Sequence, residues 1–153
     1  MKPPPFQAFL DAHSTDVHRF LVALVGPQEA EDCFQETFLA ALRAYPRLRD
    51  ASNLRSWVLT IAHRKAMDAH RSRGRRPRPV PEVPDRGRED GLVDPGLWAA
   101  VRDLPPKQRG AVALRYVADL PYREVAAALR CTEEAARQSA RAGLRRLREV
   151  VEG

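Results

Sequence analysis

Cysteine is scarce in this chain: Cys33 and Cys131 are the only thiols, far apart in sequence and each beside apolar positions. Two such residues suggest no disulfide framework, and both are read as reduced packing residues. His13, His18, His63 and His70 have neither the spacing of a zinc site nor a cysteine pair nearby, so no metal or other cofactor is expected. No apolar run is long enough to span a bilayer, and residues 1–5 lead into Phe6, Gln7 and charged residues instead of an apolar signal core. A cytoplasmic protein without membrane insertion is therefore expected. A phosphate-cradling glycine loop is also missing. Ser14, Ser52, Ser56, Ser72 and Ser139 lack the base or carboxylate set of a nuclease or recombinase, so no catalytic residue is assigned and an enzyme is not expected.

Arginine is what the chain has in excess. Lys and Arg number 26 against 20 acidic residues in 153, a net charge of +6, which favours an acidic polymer as partner. The cations are concentrated in two places. In the first, residues 52–78, Leu54, Trp57, Val58, Ile61 and Ala62 recur at the three-and-four spacing of a buried helical stripe. Arg64, Lys65, Asp68, Arg71 and Arg75 fall largely on the other side. Ser52 or Asn53 can cap the start, and Gly74 with Pro77 and Pro79 ends the helix. A row of guanidinium groups needs anions, and nucleic-acid phosphate supplies them.

Upstream, Phe6, Phe9, Leu10, Val17, Phe20, Leu21, Leu24 and Val25 keep a helical period, with a break expected near 14–16. Gly26 and Pro27 interrupt it. Pro27 suits the first turn of a second helix, and Glu29, Glu31 and Asp32 complement the positive end of its dipole. Ala30, Cys33, Phe34, Thr37, Phe38, Ala41 and Leu42 then form an apolar face and leave Asp32, Gln35, Glu36 and Arg43 outward. After a proline-containing connection at 45–52, the cationic helix follows. Three such helices can bury one small core ending near Arg73.

Residues 74–96 are rich in proline, glycine and charge, and read as a linker. About 20 residues at about 3.1 Å each could hold two modules up to about 60 Å apart, some 18 base pairs of duplex. Beyond it, Leu97, Trp98, Val101 and Leu104 mark a short helix stopped by Pro105 and Pro106, and Ala111, Val112, Leu114, Tyr116 and Val117 another that fades at Asp119. Tyr122–Leu129 forms a short helix, Arg130 and Cys131 a tight break, and Thr132 caps a longer helix with Ala136, Ala140, Leu144, Leu147 and Val151 on its buried side. Arg137, Gln138, Arg141, Arg145 and Arg148 point outward. Two helices so joined, with Ala126, Ala127, Ala135 and Ala136 at the crossing, match a helix-turn-helix. The expected fold is all-α: two small helical modules, 1–73 and 97–153, joined by a Pro/Arg/Gly-rich linker at 74–96, the second module a helix-turn-helix.

The order of these blocks resembles the extracytoplasmic-function group of bacterial RNA polymerase sigma factors over nearly the whole chain. VHRFLVALVG followed by AEDCFQETFLAAL is similar to the polymerase-binding segment of that family, whose Asp, Gln-Glu and aromatic pattern recurs as Asp32, Gln35, Glu36 and Phe38. NLRSWVLTIAHRKAMDAHRSRGR resembles the segment that opens and reads the minus-ten promoter element. LPPKQRGAVALRYVADLPYREVAAALRCTEEAARQSARAGLRRLRE resembles the helix-turn-helix for the minus-thirty-five element. The chain departs from the family in having Arg130 where glycine is common in the turn, a left-handed position being strained for arginine. It also has Ala135, Ala136, Arg137 and Ser139 where the recognition helix usually carries Thr-Val and then a lysine and an arginine.

The resemblance implies a factor that binds core polymerase through its beta-prime and beta subunits and directs promoter-specific initiation in the bacterial cytoplasm, with an anti-sigma factor as a further candidate partner. It places Asp32, Gln35, Glu36 and Phe38 on polymerase. Asn53, Arg55, Trp57, Arg64, Lys65, Arg71 and Arg73 fall to minus-ten DNA, with the loop at 47–53 and Trp57 receiving an unstacked base, a role for which core packing of Trp57 is the alternative. Arg137, Gln138, Arg141 and Arg145 fall to minus-thirty-five DNA, where arginine reads guanine and glutamine adenine. A stand-alone helix-turn-helix regulator is the competing reading, and it gives the face of Asp32, Gln35 and Glu36 no role.

Overall fold

The computed structural model of the protein describes residues 2–73 and 95–152, all of whose regular structure is helical. The first module contains α1 (Phe6–Val25), α2 (Pro27–Ala44) and α3 (Leu54–Arg73), with a 3₁₀ turn at Tyr45–Arg47 after α2. The second contains α4 (Pro95–Arg102), α5 (Pro106–Val112), α6 (Tyr122–Leu129) and α7 (Glu133–Glu152). The expected linker lies outside the described residues except at Pro95 and Gly96, which already belong to α4. Proline suits a first turn, where its missing N–H has no intrahelical partner to lose.

The break expected near 14–16 does not occur, and α1 runs unbroken from Phe6 to Val25. Ser14, Thr15 and Asp16 weaken a helix intrinsically, but burial of Phe9, Val17, Phe20 and Leu21 against α2 and α3 outweighs propensity. Gly26 then turns the chain with φ of 89°, serving as the end of α1 and the start of α2. Phe9 is the hub of an aromatic cluster, its ring centre 5.2 Å from Tyr45, 5.8 Å from Trp57 and 6.0 Å from Phe38. Trp57 packs against this cluster and is half-buried. Leu59 and Ala66 add to the apolar side of α3 beyond the stripe expected from spacing.

In the second module the chain after α5 continues as a π turn, Ala113–Val117, closed by the Ala118 amide donating to the Ala113 carbonyl at 2.9 Å. The two helices of the helix-turn-helix, α6 and α7, begin and end where the sequence indicates. Thr132 caps α7, its Oγ1 accepting from the Ala135 amide at 3.0 Å. The turn before it is a Schellman motif: the Cys131 amide donates to the Ala126 carbonyl at 3.0 Å and the Arg130 amide to Ala127 at 3.3 Å. Arg130 adopts φ of 60° and ψ of 49°, the left-handed conformation that its place in the turn demands.

The modules pack on one another. α1 touches α4 and the π turn, α3 touches α6, and one apolar cluster runs from Phe9, Leu24 and Val58 to Leu114, Val125 and Ala136. A smaller cluster of Val101, Leu104, Val112 and Leu147 holds α4 and α5 to α7.

Replacing Arg130 by glycine relieves the left-handed strain and should stabilise the protein by about 1 kcal/mol. Thermal unfolding of the Arg130→Gly variant checks this; an unchanged or lowered melting temperature would show that the turn carries no such strain.

Candidate nucleic-acid interface

Asp32, Gln35 and Glu36 are exposed on α2, as the helical spacing requires. The same stripe continues into Leu39 and Leu42, two helical turns beyond Asp32 and Gln35, and these leucines are 50% and 49% exposed. Leu42, which spacing places on the apolar side, is thus uncovered, and the acidic and apolar residues together make one amphipathic exposed face. Phe38, one helical turn from Gln35 and from Leu42, is 6% exposed and 4.9 Å from Phe34 between ring centres, so it packs at the buried edge of this face. Cys33 is buried there too, and burial, then the carboxylates of Glu29, Asp32, Glu36 and Asp68, push its thiol up to about 11. A thiol so protonated is a packing group, not a nucleophile.

The second surface is the exposed side of α3 and the loop before it. Asn53 caps α3, its Oδ1 accepting from the Ser56 amide at 3.2 Å, while its Nδ2 donates to Glu124 Oε2 on α6 at 2.7 Å. In the loop, the Ser52 amide donates to Asp50 Oδ1 at 2.9 Å, and this bond holds the Asp50 carboxyl below its usual range. Arg47, Arg49, Asp50 and Ser52 are exposed around a buried Ala51. Arg64 is exposed. Lys65 Nζ lies 3.9 Å from Glu36 Oε1, Arg71 pairs with Asp68, and Arg55 Nε donates to Asp16 Oδ2 at 3.0 Å. The Arg55 contact turns that side chain toward α1, which spacing within α3 could not reveal. The Arg73 side chain lies outside the described residues.

On the third surface, Gln138, Arg141 and Arg145 are exposed along α7 and Arg137 is partly so. Ala136, Ala140, Gly143 and Leu147 form its buried side. Gly143, which the periodicity of large residues passes over, faces α5 so closely that a Cβ would meet Val112 Cγ2 at 2.7 Å. Leu144 is only half-buried and Val151, expected inside, is 66% exposed at the end of the helix, where it lines a groove with Leu97, Trp98 and Tyr116.

Residues 9–76 match the model of sigma-70 region 2, and residues 100–149 match that of sigma-70, region 4. The SigC extracytoplasmic-function sigma factor of Mycobacterium tuberculosis is 36% identical over 135 residues, covering 82% of this chain and 71% of that protein. The chain belongs to the extracytoplasmic-function sigma factors. Another relative, the RNA polymerase sigma factor CarQ of Myxococcus xanthus, is 30% identical over 156 residues, covering 95% of this chain and 88% of its own. Among solved structures, the sigma factor RpoE of Bartonella quintana, crystallised with the anti-sigma factor NepR, has the same fold with a TM-score of 0.82 at 24% identity, over 96% of each chain. As a sigma factor, the protein binds core RNA polymerase and directs promoter-specific initiation, and its partners are polymerase and promoter DNA. Among the described residues, no helix is long and apolar enough to cross a membrane.

In this sigma factor the cationic helix of region 2, like α1, also meets region 4. His63, one residue before Arg64, is buried where α3 meets α5, and neither ring nitrogen has a hydrogen-bond partner. Burial, then the positive charges of Arg109 and Arg64, lower its pKa to about 4. The closed packing therefore holds a neutral imidazole. An imidazole freed by opening titrates near 6.5, so the packed state binds fewer protons than the opened one between those values. Its stability is complete above pH 6.5, declines as pH falls, and has lost up to about 3 kcal/mol below pH 4. Melting temperatures from pH 7 to pH 4.5 should fall more steeply for the wild type than for His63→Gln; parallel profiles would assign the acid sensitivity to other groups.

Proposed function

We propose that residues 1–73 dock on polymerase and open the minus-ten element, that 97–153 read the minus-thirty-five element, and that 74–96 link them. The exposed α2 face carries this reading: Asp32, Gln35 and Glu36 in line with the uncovered Leu39 and Leu42. Carboxylates bordering exposed apolar side chains suit a basic, amphipathic helical partner. The apolar centre supplies affinity and the charged rim supplies orientation. The coiled coil of the beta-prime subunit is the partner we assign, with Phe38 holding the face in shape from its buried edge.

Docking there brings α3 to the promoter. Arg64, Lys65, Arg71 and Arg73 engage phosphates or base edges of the separated strands, and Asn53 with the 47–53 loop receives an unstacked base. Trp57 backs that loop through its contact with Phe9. Arg55, drawn to Asp16, acts by fixing α3 on α1. In the second module Arg137, Gln138 and Arg141 enter the major groove and Arg145 follows the backbone. The factor works in the cytoplasm and binds without a chemical step of its own. Because RpoE of Bartonella quintana was crystallised with an anti-sigma factor, a protein antagonist is a further partner we assign to this chain.

Co-elution of the full chain with sigma-free core polymerase tests the reading. Simultaneous alanine substitution at Asp32, Gln35 and Glu36 should weaken the complex by at least about tenfold while leaving helix content unchanged. Undiminished co-elution of this triple variant would remove the α2 face from the interface, and failure of the folded wild type to co-elute would favour a stand-alone DNA-binding regulator.

A further inference from the structure

Arg137 differs from the other cations of the recognition helix in what surrounds it. Its guanidinium carbon lies 5.1 Å from the centre of the Tyr122 ring, and its Nη2 is 3.6 Å from Glu133 Oε1. Among the described residues no ring lies under the guanidinium of Arg141 or Arg145. The ring that holds Arg137 is itself fixed. Tyr122 is the first residue of α6, half-buried against the main apolar cluster. A second guanidinium, that of Arg115, lies 5.0 Å from the same ring centre. Arg115 is anchored in turn by donating from Nη1 to the Leu120 carbonyl at 3.2 Å, with Asp119 Oδ1 4.0 Å away. The π turn that carries Arg115 thereby connects α5, through Tyr122, to a cation on α7.

We propose that Tyr122 is a positioning residue for upstream-element recognition: its ring, steadied by Arg115, holds the Arg137 guanidinium in the orientation from which it meets a base edge. This rests on the reading of Arg137 as a base-contacting residue. Arginine has a long, rotamer-rich side chain, and bidentate contact with guanine demands one plane and one direction. A face that pre-orders the guanidinium removes part of the entropic cost of that contact. The benefit falls on sequence reading alone. A loosened Arg137 still carries its charge to the nearest phosphate, so removing the ring should reduce discrimination between bases and leave the sequence-independent attraction in place.

The test uses holoenzyme assembled from the full chain and core polymerase, presented with duplexes randomised over the upstream element, the retained DNA being sequenced. Arg137→Ala identifies the base pair whose preference depends on that side chain. Tyr122→Leu, which keeps an apolar group but removes the ring, should lower the preference at the same base pair by about fivefold, the scale of one cation–π contact. It should leave total DNA retention and its salt dependence as in the wild type. Tyr122→Phe should restore the preference, and in an Arg137→Ala background Tyr122→Leu should add nothing. Wild-type preference in Tyr122→Leu would overturn the proposal. So would an equal loss across all sequences that persists in the Arg137→Ala background, which is the mark of a merely structural residue. If Arg137→Ala changes no base preference, the proposal falls together with the reading of Arg137.

Discussion

The arrangement of the chain depends on the joint between the two modules, where α1 lies on α4 and the π turn and α3 comes close to α5 at Gly110. Gly110 sits under His63, and a Cβ there would come within 2.8 Å of His63 Nε2 and 3.0 Å of Leu129 Cδ2. Only a residue without a side chain lets the two modules close to this distance, and only a neutral imidazole can be enclosed beside the cationic Arg109 and Arg64. Closure merges the apolar sides of both modules into one cluster. It also ties Asn53, at the head of α3, to Glu124 on the helix-turn-helix. The same contact therefore sets where the exposed face of α2, the cationic side of α3 and the recognition helix stand relative to one another.

Three cations of the basic surfaces lie beside exposed carboxylates of the same chain: Arg71 by Asp68, Lys65 by Glu36 and Arg137 by Glu133. Exposed pairs of this kind are worth about 0–1 kcal/mol each, because water screens them and two flexible side chains must be ordered. Exchange of such a carboxylate for a phosphate costs little, whereas each phosphate contact releases condensed counterions. Such pairs therefore do not compete seriously with DNA. Arg55 is different. Its bond to Asp16 is only partly exposed and joins two helices of one core, which makes it part of the scaffold.

The helices were legible where local rules decide them. Pro27 in a first turn, the Thr132 cap, Tyr122–Leu129 and the outward arginines of α7 follow from residue type and spacing. What escaped was decided by contacts between helices. The unbroken α1 depends on burial against α2 and α3, which polar Ser14, Thr15 and Asp16 conceal. Phe38 has the residue type of an interface aromatic, but α1 covers it with Phe9, while Leu39 and Leu42 are uncovered because no element packs there. Val151 continues the periodic stripe past the last turn that α5 can reach. The signal for the exposed face was present in the spacing of Asp32, Gln35, Leu39 and Leu42, and required the orientation of the helix to be known.

Arg130 shows how such a core accommodates a locally unfavourable residue. A left-handed arginine costs about 1 kcal/mol relative to glycine. The turn it makes lets α6 and α7 cross on Ala126 and Ala136, both buried, whereas Ala127, expected at the crossing, is exposed and Ala135 only half-buried; burial of each methyl group is worth about 0.8 kcal/mol. Two such groups contribute about 1.6 kcal/mol, more than the strain, and the Schellman bonds of Cys131 and Arg130 satisfy carbonyls that would otherwise be left at the end of α6. The geometry of the turn is thus imposed by the crossing rather than by the residue within it. The recognition helix stays in place although the glycine common in the family is replaced.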